Sequence, residues 1–303
     1  MHSLIHVPNN VLVALNVDRP FAFLRRMTQS ASIHDLSQEL LDEIIDHLHD
    51  DKHSLSACCE VSTSFQRRAQ QHLFREITFK SNDQRPAHRI IRTRHFYNIV
   101  QSRPHIANYV RKLEVVVTPS DNTWIHEDDI FLKIVNQFDA MEEISLEDHD
   151  YSIGKPPGPT FEDCISLVNK FWQPFVQARV TMVCLRHMIR VPLGIIGNCP
   201  RLKSLTLFSV SFDSPFSAPG FPLLPLRLDS LVYFNSQSAF WRLKLWTSVE
   251  VQQFLDMRNL TRLKCSLWKE ADAQCILQVL IQAKNSIKAL DINLGDNGQE
   301  LNF

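Results

Sequence analysis

The chain has 303 residues, enough for one large or two modest domains, and its 44% hydrophobic and 21% charged content is that of a globular protein with a real core. A net charge of −1 gives no overall attraction to nucleic acid or an anionic membrane, and no run of eighteen apolar residues is present to span a bilayer. Seven cysteines, an odd number without a Cys-x-x-Cys pair, point to a reducing compartment, cytoplasmic or nuclear.

Residues 1–32 contain the apolar run Val11–Val17 followed by Arg19, Arg25 and Arg26. The basic residues come after the apolar stretch and Pro8-Asn9-Asn10 interrupts it, so the segment is read as a disordered or loosely packed leader and not as a targeting signal.

Residues 33–79 carry three helical patterns. At about 100° per residue, Leu40, Leu41, Ile44, Ile45 and Leu48 fall within an arc of roughly 140°, with Asp42, Glu43, Asp46 and His47 on the remainder. The polar break His49-Asp50-Asp51-Lys52 supplies an N-cap for a second helix bearing Leu55, Cys58 and Val61. Ser62 caps a third, with Phe65, Ala69 and Leu73 at i, i+4 and i+8. Three short helices in under fifty residues cannot cover all of this apolar surface with their own core, so part of it is expected to meet the rest of the chain or a partner.

These residues carry a resemblance. Leu36-Ser37-Gln38-Glu39-Leu40-Leu41-Asp42-Glu43-Ile44, followed by Leu55, Cys58, Val61 and Phe65 and then by His72-Leu73-Phe74-Arg75-Glu76-Ile77, is similar to the F-box of fungal-type substrate receptors. Two positions depart from the family pattern: Ser37 stands where proline is usual, and Phe65 where tryptophan is usual. Serine is a competent N-terminal residue and phenylalanine keeps an aromatic plug. The resemblance implies docking onto a Skp-type adaptor, and through it a cullin, by Leu36, Ser37, Glu39, Leu40, Leu41, Ile44, Leu48, Leu55, Val61 and Phe65.

Residues 80–109 read as a helical linker. Arg85, His88, Arg89, Arg92, Arg94 and His95 are expected on a solvated face, with Ile90, Ile91, Phe96, Ile99 and Val100 packed inward. Without a basic net charge behind it, this segment does not indicate nucleic-acid binding.

From residue 110 a unit of the form apolar-x-x-apolar-x-apolar recurs. It begins at Val110, Met141, Val180, Leu202, Leu228 (a partial instance), Leu260 and Ile287, at spacings of 31, 39, 22, 26, 32 and 27 residues. Alternation places the last two apolar residues of each unit on one side of a short strand. Helical patterns lie between the strands, over Asp129–Phe138, Glu162–Phe171, Val249–Leu255 and Ala271–Ala283. Strands alternating with helices at this spacing predict a parallel sheet with right-handed crossovers. The pattern is similar to the irregular leucine-rich repeats that follow many F-boxes, best in Val191–Leu207 with its Cys199-Pro200 turn, although the usual asparagine ladder is missing. The expected architecture is therefore α/β: a three-helix F-box-like module, then an irregular leucine-rich-repeat-like solenoid over 110–303 with outer helices. Loops at Gly154–Pro159 and Asp213–Pro225 are expected to interrupt the stack.

No constellation for chemistry survives comparison with a plainer reading. His47, His49 and His53 straddle a helix break, so they are solvated polar residues and not metal ligands. Glu147-Asp148-His149-Asp150 reads as a strand-to-helix loop, and Cys58-Cys59 as inert thiols on an apolar face. No phosphate loop, nucleophile elbow or zinc-protease motif occurs. Of Trp124, Trp172, Trp241, Trp246 and Trp268, most are expected in the core, the remainder being candidate binding anchors. The expected protein is not an enzyme and takes no cofactor or metal. It is a substrate-recognition subunit of a cullin-type ubiquitin ligase, with an unknown protein substrate on the repeats and no nucleic-acid or membrane partner. The alternative is an adaptor-independent repeat scaffold whose helical unit packs on its own solenoid.

Overall fold

The computed structural model describes residues 36–81, 86–118, 123–148, 166–188, 191, 194–197, 199–211, 226–234, 255–267 and 270–294. The leader, the loops at 154–159 and 213–225, Trp241, Trp246, Trp268, His149, Asp150 and most of 249–255 lie outside the described residues.

The chain begins with α1 (Gln38–Asp46), α2 (Lys52–Val61) and α3 (Thr63–Leu73). The caps fall where polar residues interrupt the apolar pattern. Asp51 accepts hydrogen bonds from the His53 and Ser54 backbone N–H groups, both at 3.1 Å, and from the Ser54 hydroxyl at 2.6 Å. Ser62 accepts from the Ser64 N–H at 3.2 Å. Ser37 stands just before α1 and not inside it, with φ −65° and ψ 155°. That φ is the value a proline ring would impose, so serine adopts the same entry without the preset. Leu41, Ile45, Leu55, Phe65 and Ala69 form a small core of their own, separate from the main one, with Leu48, Cys58 and Leu73 at its margin.

After α3 the chain enters a repeating pattern. The strands are β1 (Glu76–Lys80), β2 (Lys112–Val117), β3 (Glu143–Asp148), β4 (Met182–Arg186), β5 (Ser204–Phe208), β6 (Leu226–Arg227), β7 (Ser230–Phe234), β8 (Leu255–Asp256), β9 (Arg262–Leu267) and β10 (Ala289–Leu294). Eight of them form one parallel sheet in the order β1-β2-β3-β4-β5-β7-β9-β10, each beside the one that precedes it along the chain. The two-residue strands β6 and β8 pair separately. Between strands lie α4 (Pro86–Ser102), α5 (Trp124–Glu127), α6 (Asp129–Asn136), α7 (Leu167–Gln177), α8 (Gly194–Gly197) and α9 (Glu270–Ala283). The fold is α/β and solenoid-like.

The register explains why this sequence stacks. Ile77, Leu113, Ile144, Val183, Leu205, Leu231, Leu263 and Leu290 align across the sheet, and two residues on, Phe79, Val115, Leu146, Leu185, Leu207, Tyr233, Cys265 and Ile292 form a second row. From β2 to β9 both rows are buried, and they join α4, α6, α7 and α9 in one continuous core. Each fully buried aliphatic side chain contributes about 1.5–3 kcal/mol, so a single rung alone could not offset its ordering cost while a stack can. The backbone repeats as faithfully as the side chains. At each strand entry, two successive N–H groups donate to one carbonyl of the preceding rung: Arg111 and Lys112 to Arg75, Glu142 and Glu143 to Arg111, and so on to Lys288 and Ala289 on Thr261, at 2.8–3.1 Å.

Three details differ from the sequence expectation. Residues 76–79, counted there with the helical unit, and Lys80, counted with the linker, form the first strand, since Phe74-x-x-Ile77-x-Phe79 is itself one repeat unit. On α4, Ile90 and Ile91 are exposed while Arg89 and Thr93 are buried. The helix turns that face inward because the Arg89 guanidinium lies 4.7 Å over the Trp124 ring and 3.2 Å from Asp128, while the Trp124 N–H donates to the Ser81 hydroxyl at 2.7 Å. The helix expected to stop at Phe171 continues through Pro174 to Gln177 in π geometry, a widened turn that takes up the proline's missing donor.

Candidate functional site

The apolar arc of α1 is split by the fold. Leu41 and Ile45 turn into the small core, whereas Leu36, Leu40 and Ile44, spaced four residues apart, face solvent, the last two 49% and 44% exposed. Val61, the last residue of α2, is 76% exposed. The Gln38 side-chain amide donates to the Ser64 carbonyl at 2.9 Å, which ties the Gln38 side of α1 to the first turn of α3. The exposed row Leu36, Leu40 and Ile44 is edged by Glu39 and Glu43, whereas Asp42 lies on the Gln38 side of the helix, 2.7 Å from its amide. The Glu39 carboxyl is held below its ordinary range by its own backbone N–H and by the Ser37 hydroxyl.

Of the ten positions expected to contact a partner, Leu36, Ser37, Glu39, Leu40, Ile44 and Val61 are exposed and Leu48 is half-buried. Leu41, Leu55 and Phe65 are not available for contact, because they are the core that holds the three helices together. A helical wheel shows the width of an apolar arc but not which edge of it faces the helix's own neighbours.

A second surface is the face of the large sheet opposite its helices. Near β1 to β4 it carries mostly paired charges: Lys112 lies 2.8 Å from Glu76 and 3.9 Å from Glu143, and Arg186 lies 3.4 Å from Glu147. Desolvation by burial raises the Glu143 carboxyl above its ordinary range, against the pull of Lys112. A cleft of about 430 Å³ opens where this face meets the helical unit, lined by His49, Lys52, Arg75, Lys112 and Glu143 among others. Its cations and acids balance one another, so it offers no net field for an anion and no isolated acid–base pair.

The remaining candidates take structural places. His47 and His49 lie in the turn after α1 and His53 lies in α2, and among the described residues no three of His, Cys, Asp and Glu are grouped to hold a metal ion. Trp124 and Trp172 are buried. Burial pushes the Cys199 thiol up to about 12, only partly offset by the Trp172 indole N–H. Asp148 is buried at the end of β3. No helix among the described residues is long and apolar enough to cross a membrane.

A scan of the sequence against protein-family models finds no match, and a search of curated proteins likewise finds none.

Proposed function

We propose that this chain is a substrate-recognition subunit of a cullin-type ubiquitin ligase, docking a Skp-type adaptor on the α1–α2 face and a protein substrate on the sheet. The observation that carries the reading is the exposure of Leu40, Ile44 and Val61 beside the buried Leu41 and Ile45. An apolar row exposed on a helix that has satisfied its own core is an interaction face, and here it lies on the residues that carry the F-box resemblance. The repeat pattern behind it, similar to irregular leucine-rich repeats, supplies a stiff platform for a second protein. In such a receptor the chain carries out no chemistry. It raises the local concentration of substrate beside the ligase.

The competing reading, a scaffold whose helical unit packs its apolar row on its own solenoid, is disfavoured by the solvent exposure of Leu40 and Ile44. Co-purification with a Skp-type adaptor tests the proposal: wild type retains the adaptor, and Leu40→Asp with Ile44→Asp loses it while remaining folded. Equal recovery by a folded double variant overturns it.

A further inference from the structure

The face of the sheet opposite its described helices changes character between β4 and β9. On β5 and β7 its outward residues are Ser204, Thr206, Phe208, Ser230, Val232 and Phe234, none of them charged. Phe208 is 38% exposed, and its ring lies 5.9 Å from that of Phe234 and 5.1 Å from the His187 imidazole, edge-on. Lys264 on the neighbouring strand β9 places its ammonium 5.8 Å from the Phe234 ring centroid, and Arg262 beside it on the same face is exposed. A neutral, partly aromatic window two strands wide is thus bordered by Arg262 and Lys264 on β9 and, on β4, by Arg186, which is paired with Glu147.

The backbone holds this window at a cost. His187 and Ser209, which follow the paired residues Arg186 and Phe208, both sit at positive φ, 58° and 53°. Neither is glycine, so each costs roughly 1 kcal/mol of backbone strain. In return the His187 N–H donates to the Phe208 carbonyl at 2.7 Å and the Ser209 N–H to the Phe234 carbonyl at 2.9 Å. The strained residues therefore fix the backbone at the exposed Phe208 and the half-buried Phe234.

We infer that this window takes an extended segment of a partner protein carrying a large apolar side chain followed, two residues on, by a carboxylate. The apolar side chain lies across Phe208 and Phe234, and the carboxylate meets Arg262 and Lys264. In an extended chain, side chains on one face recur at roughly 6.6–6.8 Å, the scale of the step from the Phe234 ring to the Lys264 ammonium. Charge selects the second residue: a lysine there would face two cations, while a glutamate would satisfy Arg262 and compete for Lys264 with its present partner Asp291, 2.7 Å away. A nucleic acid strand fits less well, because Arg186, the cation across from Phe208 on β4, is paired with Glu147, and Glu143 lies on that same side of the window. The inference rests on the reading of the sheet as the substrate platform and names the chemistry that the platform selects.

The test uses fluorescein-labelled peptides of about twelve residues, in extended Ser/Thr-rich backgrounds, centred on Phe-Thr-Glu, Phe-Thr-Lys or Ala-Thr-Glu, titrated against the full chain by anisotropy. Wild type is expected to bind Phe-Thr-Glu about tenfold more tightly than either of the others, a difference of about 1.4 kcal/mol. Phe208→Ala with Phe234→Ala removes binding of all three, and Arg262→Glu with Lys264→Glu turns the preference to Phe-Thr-Lys, a gain that an unfolded variant could not show. Equal binding of the three peptides by wild type, no binding up to millimolar protein, or an unaltered preference in the charge-reversed variant overturns the inference. Adaptor capture is measured on the same preparations. Its loss with peptide selectivity intact counts against the ligase reading alone, and the converse counts against the peptide inference alone.

Discussion

Asp46, the last residue of α1, and Arg68, in the middle of α3, form a two-point carboxylate–guanidinium contact: Arg68 Nη2 donates to Oδ2 at 2.6 Å and Nε donates to Oδ1. The His72 ring joins the same carboxylate at 2.7 Å. This contact fastens the helix that bears the exposed apolar row to the helix that leads into the sheet. The Arg68 hydrogen bond holds the Asp46 carboxyl well below the usual carboxylate range. A depressed folded-state value means that the contribution is complete above the unfolded value of about 3.9 and is withdrawn as pH falls through it toward the folded one. Because the Asp46 side chain is 40% exposed, solvent screening limits the contribution to about 1 kcal/mol. Asp46→Asn is expected to lower the unfolding free energy from urea titration at pH 7 by that amount and to flatten the fall in stability between pH 5 and pH 3; identical acid limbs for variant and wild type would remove Asp46 from the account.

Arg89 is the charged residue on which α4 turns. Its guanidinium is buried between the Trp124 ring and Asp128, whose other oxygen caps α6 by accepting from the Ile130 and Phe131 N–H groups. Arg89→Ala should cost about 2–3 kcal/mol in chemical denaturation, since it leaves a largely buried carboxylate without its cation and the ring without its cover. Arg92→Ala, on the exposed side of the same helix, should change stability by less than about 0.5 kcal/mol. Equal effects would mean that α4 does not face the sheet as described.

Cys199 is fully buried, with its thiol raised to about 12. At pH 8 its thiolate fraction is then about one part in ten thousand. Native protein treated with iodoacetamide should carry no label on Cys199 by peptide mass spectrometry, and the same residue should react fully in urea. Prompt native labelling would show that the turn before β5 opens readily.

The repeat was legible because each rung repeats a three-residue apolar spacing, and the starts at 110, 141, 180, 202, 228, 260 and 287 all lead into strands of the sheet. The first rung was not, since Ile77 and Phe79 follow α3 so closely that the segment reads as its continuation. The π geometry of α7 was equally hidden, because a proline in a helical pattern ordinarily marks its end. On α4, apolarity alone turned Ile90 and Ile91 inward, whereas Arg89 gains an ion pair and a ring stack that no local pattern displays. The α1 face was half legible: the wheel gave the arc, but only packing against Phe65 and Leu55 decides that Leu41 is core and Leu40 is surface. The aromatic window of β5 and β7 left no signal in the repeat, because Phe208 and Phe234 lie one residue beyond the motif, on the opposite face.

That division between core and surface on α1 predicts opposite outcomes for neighbouring residues. Leu41→Ala, in the small core, should destabilise the helical unit by about 2–4 kcal/mol and expose its amides to hydrogen exchange. Leu40→Ala, half exposed, should leave exchange in α1 to α3 unchanged. If Leu40→Ala unfolds the unit as readily as Leu41→Ala, the exposed row is part of the core and not a docking face.

The central claim is tested most directly by affinity capture of the full chain with a purified Skp-type adaptor, comparing wild type with Leu40→Asp plus Ile44→Asp at matched far-UV spectra and thermal midpoints. The account predicts stoichiometric adaptor with wild type and at least a hundredfold weaker capture by the double variant, about 2.7 kcal/mol. Undiminished capture by the folded double variant, or no capture by wild type, contradicts it.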